Sequence, residues 1–235
     1  MLGTLINAAA IVAGGAIGLM FKKNLPKRFS TIYFQAVGLF TIILGIQMSI
    51  GMQKPLMVVF SLILGGLTGE WLKLQAHTTN LGNLMKKRFR LGSERFTEGL
   101  VTSFLLFCMG SMTLIGSMQE GLGIENPSNL LVTKSLMDFF SAIMLASALG
   151  VGVLFSAVPL LIFQGGITLL VMLFGTGIPD LYINELVAIS GIMMIGLGIV
   201  IMDIKELRII NLLPSLVFLL LFLWIEKHAM AFLNF

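Results

Sequence analysis

Apolar positions in this 235-residue chain fall into long runs separated by short polar segments. An α-helix needs about 20 apolar residues to cross a hydrocarbon layer of ~30 Å. Windows of that kind stand at about residues 2–21, 32–52, 55–72, 98–118, 133–151, 155–174, 185–204 and 212–230. The pattern predicts an all-α fold, a polytopic transmembrane helical bundle of about eight spans forming one integral membrane domain over 1–235. The fifth and sixth windows merge. Residues 131–174 contain no polar loop, and their centre reads Ala148-Leu-Gly-Val-Gly-Val-Leu-Phe-Ser-Ala-Val-Pro159. The stretch reads either as two full spans joined by a tight turn or as a re-entrant, broken-helix hairpin interrupted at Gly150, Gly152 and Pro159.

The polar segments set an orientation. The connections after windows one, three and seven hold Lys22, Lys23, Lys27, Arg28, Lys73, Lys86, Lys87, Arg88, Arg90, Arg95, Lys205 and Arg208, twelve basic residues against Lys54 and Lys134 on the opposite side. Basic loops stay in the cytoplasm. Both termini are therefore expected outside, in a multi-pass protein of the inner (plasma) membrane. The first window has no basic residue before it and a basic cluster after it, which reads as a retained helix rather than a cleaved leader. Residues 73–96 form the one sizeable basic cytoplasmic segment. Leu81, Leu84, Met85, Phe89 and Leu91 interleave with its cations, so it reads as a solvated connecting helix or as an amphipathic helix on anionic lipid.

Composition narrows the classes further. The chain is 57% hydrophobic and 11% charged, with a mean hydropathy of +1.00, against about 25% charge in a soluble domain. A net charge of +4 spread over short loops does not point to nucleic acid. The lone Cys108 lies in an apolar run, which excludes an internal disulfide and a thiol-built metal site. His77 and His228 lie away from the spans' centres. No cofactor and no metal is expected.

Two windows look alike. Val37-Gly-Leu-Phe-Thr-Ile-Ile-Leu-Gly45 aligns with Ser190-Gly-Ile-Met-Met-Ile-Gly-Leu-Gly198, superposing Gly38 on Gly191, Gly45 on Gly198, Ile42 on Ile195 and Leu44 on Leu197. The two windows run in opposite directions, so a true match is an inverted repeat. Asn7 in the first window and Gln164 in the sixth extend it loosely. Glycines seven residues apart also share a helix face and serve close helix packing, which explains them equally well.

Polar residues inside the windows supply the candidate chemistry. Asp138 lies about one turn into window five, four residues after Lys134 and on the same helix face. It reads either as a carboxylate facing an internal cavity, binding a cation or proton, or as an interfacial acid paired with Lys134. Ser135 adjoins the pair. Asn7 and Gln164, with Gly165 beside the latter, are buried amides that need a partner on another helix or a solute. Ser111, Thr113 and Ser117 can satisfy broken backbone or contact solute, Ser156 is a further solute-binding candidate, and Gln47 and Gln119, each six residues after a threonine (Thr41 and Thr113), can line an outer vestibule. Glu70 and Asp203 end their windows at the opposite side. No His-Glu-x-x-His, Gly-x-Ser-x-Gly, phosphate loop or Cys-x-x-Cys occurs, so an enzyme is not expected.

Several stretches carry a family resemblance. They are Met1-Leu-Gly-Thr-Leu-Ile-Asn-Ala-Ala-Ala-Ile-Val-Ala-Gly-Gly15, Gly69-Glu-Trp71, Gly110-Ser-Met-Thr-Leu-Ile-Gly-Ser117, Lys134-Ser-Leu-Met-Asp138, Ala146-Ser-Ala-Leu-Gly-Val-Gly-Val-Leu-Phe-Ser-Ala157 and Gln164-Gly165. With them the chain resembles, over nearly its whole length, the bacterial inner-membrane family of domain of unknown function 554. The resemblance implies a polytopic helical protein of bacterial origin and brings no substrate or site residues.

The expectation is a secondary transporter or ion-conducting protein for a small solute or ion, with alternating access around a midplane site. Asp138 would handle the cation or proton, Asn7 and Gln164 would contact solute, and the Gly150–Pro159 break would act as gate. The alternative is a non-transporting scaffold or homo-oligomer whose glycine faces pack against partners in the bilayer.

Overall fold

The computed structural model describes residues 1–21, 27–88, 95–123, 127–174 and 179–233. Eleven α-helices make up this part of the chain: α1 (Leu2–Phe21), α2 (Lys27–Ser49), α3 (Pro55–Trp71), α4 (Leu74–Arg88), α5 (Phe96–Cys108), α6 (Ser111–Gly121), α7 (Pro127–Leu149), α8 (Gly152–Phe155), α9 (Ala157–Phe174), α10 (Asp180–Ile201) and α11 (Ser215–Leu233). A 3₁₀ turn, Ile209–Leu212, precedes α11. No strand occurs among the described residues. Six helical stretches are long and apolar enough to cross a membrane, or up to eight if each of two bent pairs is one span. The all-α polytopic bundle expected from the hydrophobic pattern is what folds.

Three glycine-lined seams hold the bundle. α1 and α7 run parallel, and a Cβ on Gly14 or Gly18 would overlap the carbonyl of Phe139 or Ile143. α2 and α10 run antiparallel. A Cβ on Gly45 would lie 2.5 Å from the Gly191 carbonyl oxygen, one on Gly191 would lie 2.6 Å from that of Gly45, and one on Gly198 would lie 2.7 Å from that of Gly38. α3 meets α11 with Gly65 against Ser215 and Gly69 against Asn211. Lipid offers no hydrophobic drive between helices, so backbone-to-backbone approach through small residues is how such seams gain dispersion contact. The repeated glycines of windows two and seven face one another within the chain.

The main break in a span is not where the glycine–proline pattern suggested. α5 and α6 meet at an angle of 61° across Met109 and Gly110. Gly110 is extended (φ −66°, ψ 143°) and stops the helix. Thr113 Oγ1 donates to the Phe107 carbonyl at 2.7 Å, satisfying an acceptor that the bend leaves open. Window four, read as one run over 98–118, is therefore two half-helices.

Gly150 has a positive φ of 90° and ends α7. Gly152 then presses on the Phe96 carbonyl of α5. Ser156 Oγ donates to Val153 O at 2.6 Å, and α9 follows with Pro159 in its first turn, where a missing N–H is tolerated. Leu130–Leu149 and Gly152–Leu173 are each long enough to cross, which fits two spans joined by a turn.

Two further expectations shift. α7 begins at Pro127, so Asp138 sits about halfway along its 23 residues rather than one turn inside. Glu120 and Glu185, counted with the outer loops, belong to α6 and α10. Glu185 is fully buried, and its Oε1 accepts the amides of Gln53 (2.5 Å) and Lys54 (2.9 Å) at the start of α3. At the other end, α4 bends 48° away from α3 through Lys73 (φ 51°). It lies against α5 through Gly82 and Thr97. Asn211 joins this end by accepting the Gln75 amide at 2.7 Å and donating to Glu70 at 2.6 Å. Glu70 also pairs with Arg208. The part of the amphipathic pattern on Phe89, Arg90 and Leu91, and the basic residues Lys22 and Lys23, lie outside the described residues.

Candidate solute site

α2, the α5–α6 bend, α7 and α10 line a half-open cavity of about 560 Å³, with Phe40 and Met137 exposed at its edge. On α2 it runs from Val37 to Met48, roughly 16 Å at 1.5 Å per residue, and it reaches Gly51 just beyond the helix. On α7 it is lined by Lys134, Met137, Asp138 and Ser141, and on α10 by Val187 and Met194. These positions place it between the middle of the bundle and the end where α2 stops and α7 and α10 start. Its floor is the bend itself, Gly110, Ser111 and Met112. The first amides of a helix have no acceptor within it, so the α6 start brings donors and the positive end of a helix dipole to the cavity.

Lys134 and Asp138 are the two charged residues on the wall, and both are buried. Lys134 Nζ donates to Asp138 Oδ2. Taking two such ions out of water costs several kcal/mol each, and a well-packed apolar pair usually does as well or better for stability. An ion pair facing open volume at mid-span is therefore better explained by what enters that volume than by folding.

Behind the pair, a line of hydrogen bonds joins three helices, α1, α9 and α6. The Asn7 amide donates to Gln164 Oε1 at 3.1 Å. Gln164 Nε2 donates to Thr4 Oγ1 at 3.2 Å, and Thr4 donates to Glu120 Oε2 at 2.8 Å. Glu120 also accepts the Gly3 amide (2.7 Å) and the Thr168 hydroxyl (3.2 Å). The bonds run in one direction from Asn7 to a carboxylate that only accepts when ionised. Asn7 Oδ1 is buried, and no donor reaches it among the described residues.

The predicted residues divide accordingly. Lys134 and Asp138 line the cavity. Asn7 and Gln164 bond each other instead of facing it, and Gly165 lies beside Met1 and Thr4 of α1. Ser135 turns back to Leu131 O at 2.6 Å. Ser156 and Thr113 satisfy backbone. Of the two vestibule candidates, Gln47 lines the cavity and Gln119 does not. Gly150, Gly152 and Pro159 lie away from it, at the α7–α9 turn. Thr41 lines the cavity beside Gln47, while sequence reading missed Ser141 as a wall residue and Glu120 as a network member. Glu120 was readable as one more acid at the end of an apolar run.

The protein family described as protein of unknown function, DUF554, matches residues 2–224. The uncharacterized membrane protein YdfK of Bacillus subtilis is 34% identical over 220 residues, covering 92% of this chain and 93% of its own. The uncharacterized protein YqgA of Escherichia coli is 29% identical over 221 residues, with 92% and 93% covered. No solved structure matches the chain.

Proposed function

The chain belongs to the DUF554 family, and from its geometry we propose that it is a secondary transporter or ion-conducting protein of the inner membrane, working on a small solute or ion. One observation carries the reading: a cavity reaches mid-span and ends on a buried Lys134–Asp138 pair at a broken helix. Discontinuous helices beside a mid-membrane site are the recurring way transporters offer backbone groups to a solute. The positive-inside bias turns the cavity outward, with both termini outside.

Internal symmetry supports alternating access. In the repeat alignment Gly38 matches Gly191 and Gly45 matches Gly198. In space Gly45 meets Gly191 and Gly38 meets Gly198, so each glycine touches the counterpart of the other. That reciprocity is what a local two-fold axis requires. The other helices matched in the repeat scheme are also neighbours: α1 meets α9 through Asn7 and Gln164, and α3 meets α11 through Gly65 and Ser215. The glycines that a scaffold would offer to partner chains are occupied within this one.

The test uses single cysteines in a Cys108→Ala background. Cysteines at Ser111 and Ser141 should react with a membrane-impermeant thiol reagent from the outside. Burial of both from either side would remove the cavity from the mechanism. Unchanged flux of an identified substrate in Asp138→Asn proteoliposomes would remove Asp138.

A further inference from the structure

Resting on the transport reading, and naming its solute class, we propose that the cavity binds a small monoanion with an apolar body and that each anion arrives with one proton, taken by Asp138.

Charge balance leads there. Lys134 and Asp138 are the charged side chains on the wall, and they cancel. α2 offers Thr41 and Gln47 to the cavity, α10 offers Val187 and Met194, and the bend offers Ser111, none of them charged. A bare ion entering would leave one uncompensated charge at mid-span, which is the expensive case. Two exchanges avoid it. An anion can replace the Asp138 carboxylate on Lys134 while Asp138 takes a proton from water. A cation can replace Lys134 on Asp138 while Lys134 releases one.

Two features choose the first. The start of α6 presents amide donors and the positive end of a helix beside Lys134, which favours negative charge in the cavity. The second is Asn7. Its Oδ1 is fully buried and lacks a donor among the described residues. Protonation gives Asp138 an O–H, and a rotation of the neighbouring Asn7 amide turns its unpartnered Oδ1 to accept it. Among the described residues, the buried Cys108 thiol on α5 is a further titratable group near the pair. Glu120 lies three residues beyond Asn7 along the hydrogen-bond line and is already held by the start of α1. Phe40, Leu44, Met48, Leu106 and Met112 make the rest of the wall apolar. A volume of about 560 Å³ holds a carboxylate with a short hydrocarbon chain.

The experiment offers purified protein in lipid nanodiscs four probes of similar length: butyrate, butylamine, 1-butanol and 4-aminobutyrate. Titration calorimetry in buffers of different ionisation heat counts protons. Butyrate should bind with one proton taken up, and its affinity should fall about tenfold per pH unit while Asp138 is ionised in the free protein. Asp138→Asn should bind butyrate with no proton uptake and no such slope. Lys134→Met with Asp138→Asn, which strands no charge, should lose it. Butylamine binding in place of butyrate, binding of no probe, or butyrate binding without a proton would each overturn the proposal. Flux in proteoliposomes separates the two readings. Butyrate bound with its proton but crossing no faster than in protein-free liposomes supports this inference and sinks transport. Butylamine crossing faster than in protein-free liposomes does the reverse.

Discussion

The seam between α1 and α7 and the seam between α2 and α10 use the same device for different ends. Both bring backbones together on glycine, Gly14 and Gly18 in one, and Gly38, Gly45, Gly191 and Gly198 in the other. The α2–α10 seam puts no charged residue between its helices. The α1–α7 seam is flanked by Thr4, Asn7, Lys134 and Asp138 in the half nearer the start of each helix, all buried. The first is a strut, and the second is a strut with a polar load. Close backbone contact can be had without polar groups, so the polar groups of α1 and α7 call for a separate reason.

The contrast breaks most sharply at the ion pair. Lys134→Met alone strands a buried carboxylate and should cost about 3–5 kcal/mol. Adding Asp138→Leu should restore most of it. Thermal unfolding in detergent, followed by the fluorescence of Trp71 and Trp224, reads both. If the single variant is as stable as the parent, the pair is not buried as described.

Next comes the strut. Gly191→Val pushes a side chain onto the Gly45 carbonyl and should cost about 1–3 kcal/mol or more. Gly166, with nothing within 4 Å of a built Cβ, is the control. Gly166→Ala should change the melting temperature very little. Equal losses at both positions would show that glycine in these helices matters for conformation and not for contact.

Asn7→Ala removes the donor to Gln164 Oε1 and should cost about 1–2 kcal/mol, measured the same way. Reciprocally, Gln164→Ala should cost a similar amount, and the double variant less than the sum. Strict additivity would mean that the two amides do not bond. Smallest is Thr113→Val at the bend, at about 0.6–1 kcal/mol. Its better readout is increased thiol labelling of a cysteine at Ser111.

Much of this architecture was legible beforehand, because long apolar runs and basic loops are written directly in residue type. The boundaries of window five were not. Pro127 and the polar residues after it look like loop, yet six more residues join α7, and that moves Asp138 from the rim to the middle. The bend at Gly110 was equally hard to see. Gly150-Val-Gly152 advertises a break more loudly than Gly110-Ser111, and only the third dimension shows that one is a turn between two long helices and the other a 61° bend between two short ones. Asp138 and Lys134 could be paired from their spacing. That Asn7 stands behind them, over 130 positions away in the chain, is a property of the α1–α7 crossing.

Glu185 has a mechanical consequence. By holding the amides of Gln53 and Lys54 from inside α10, it ties the α2–α3 connection to the helix that α2 already grips. α10, α2 and the head of α3 are then joined by hydrogen bonds as well as by packing. Under the proposed alternating access, a rocking that opens the cavity to the other side would have its fulcrum elsewhere, at the bent joint of α5 and α6 and along the face of α7.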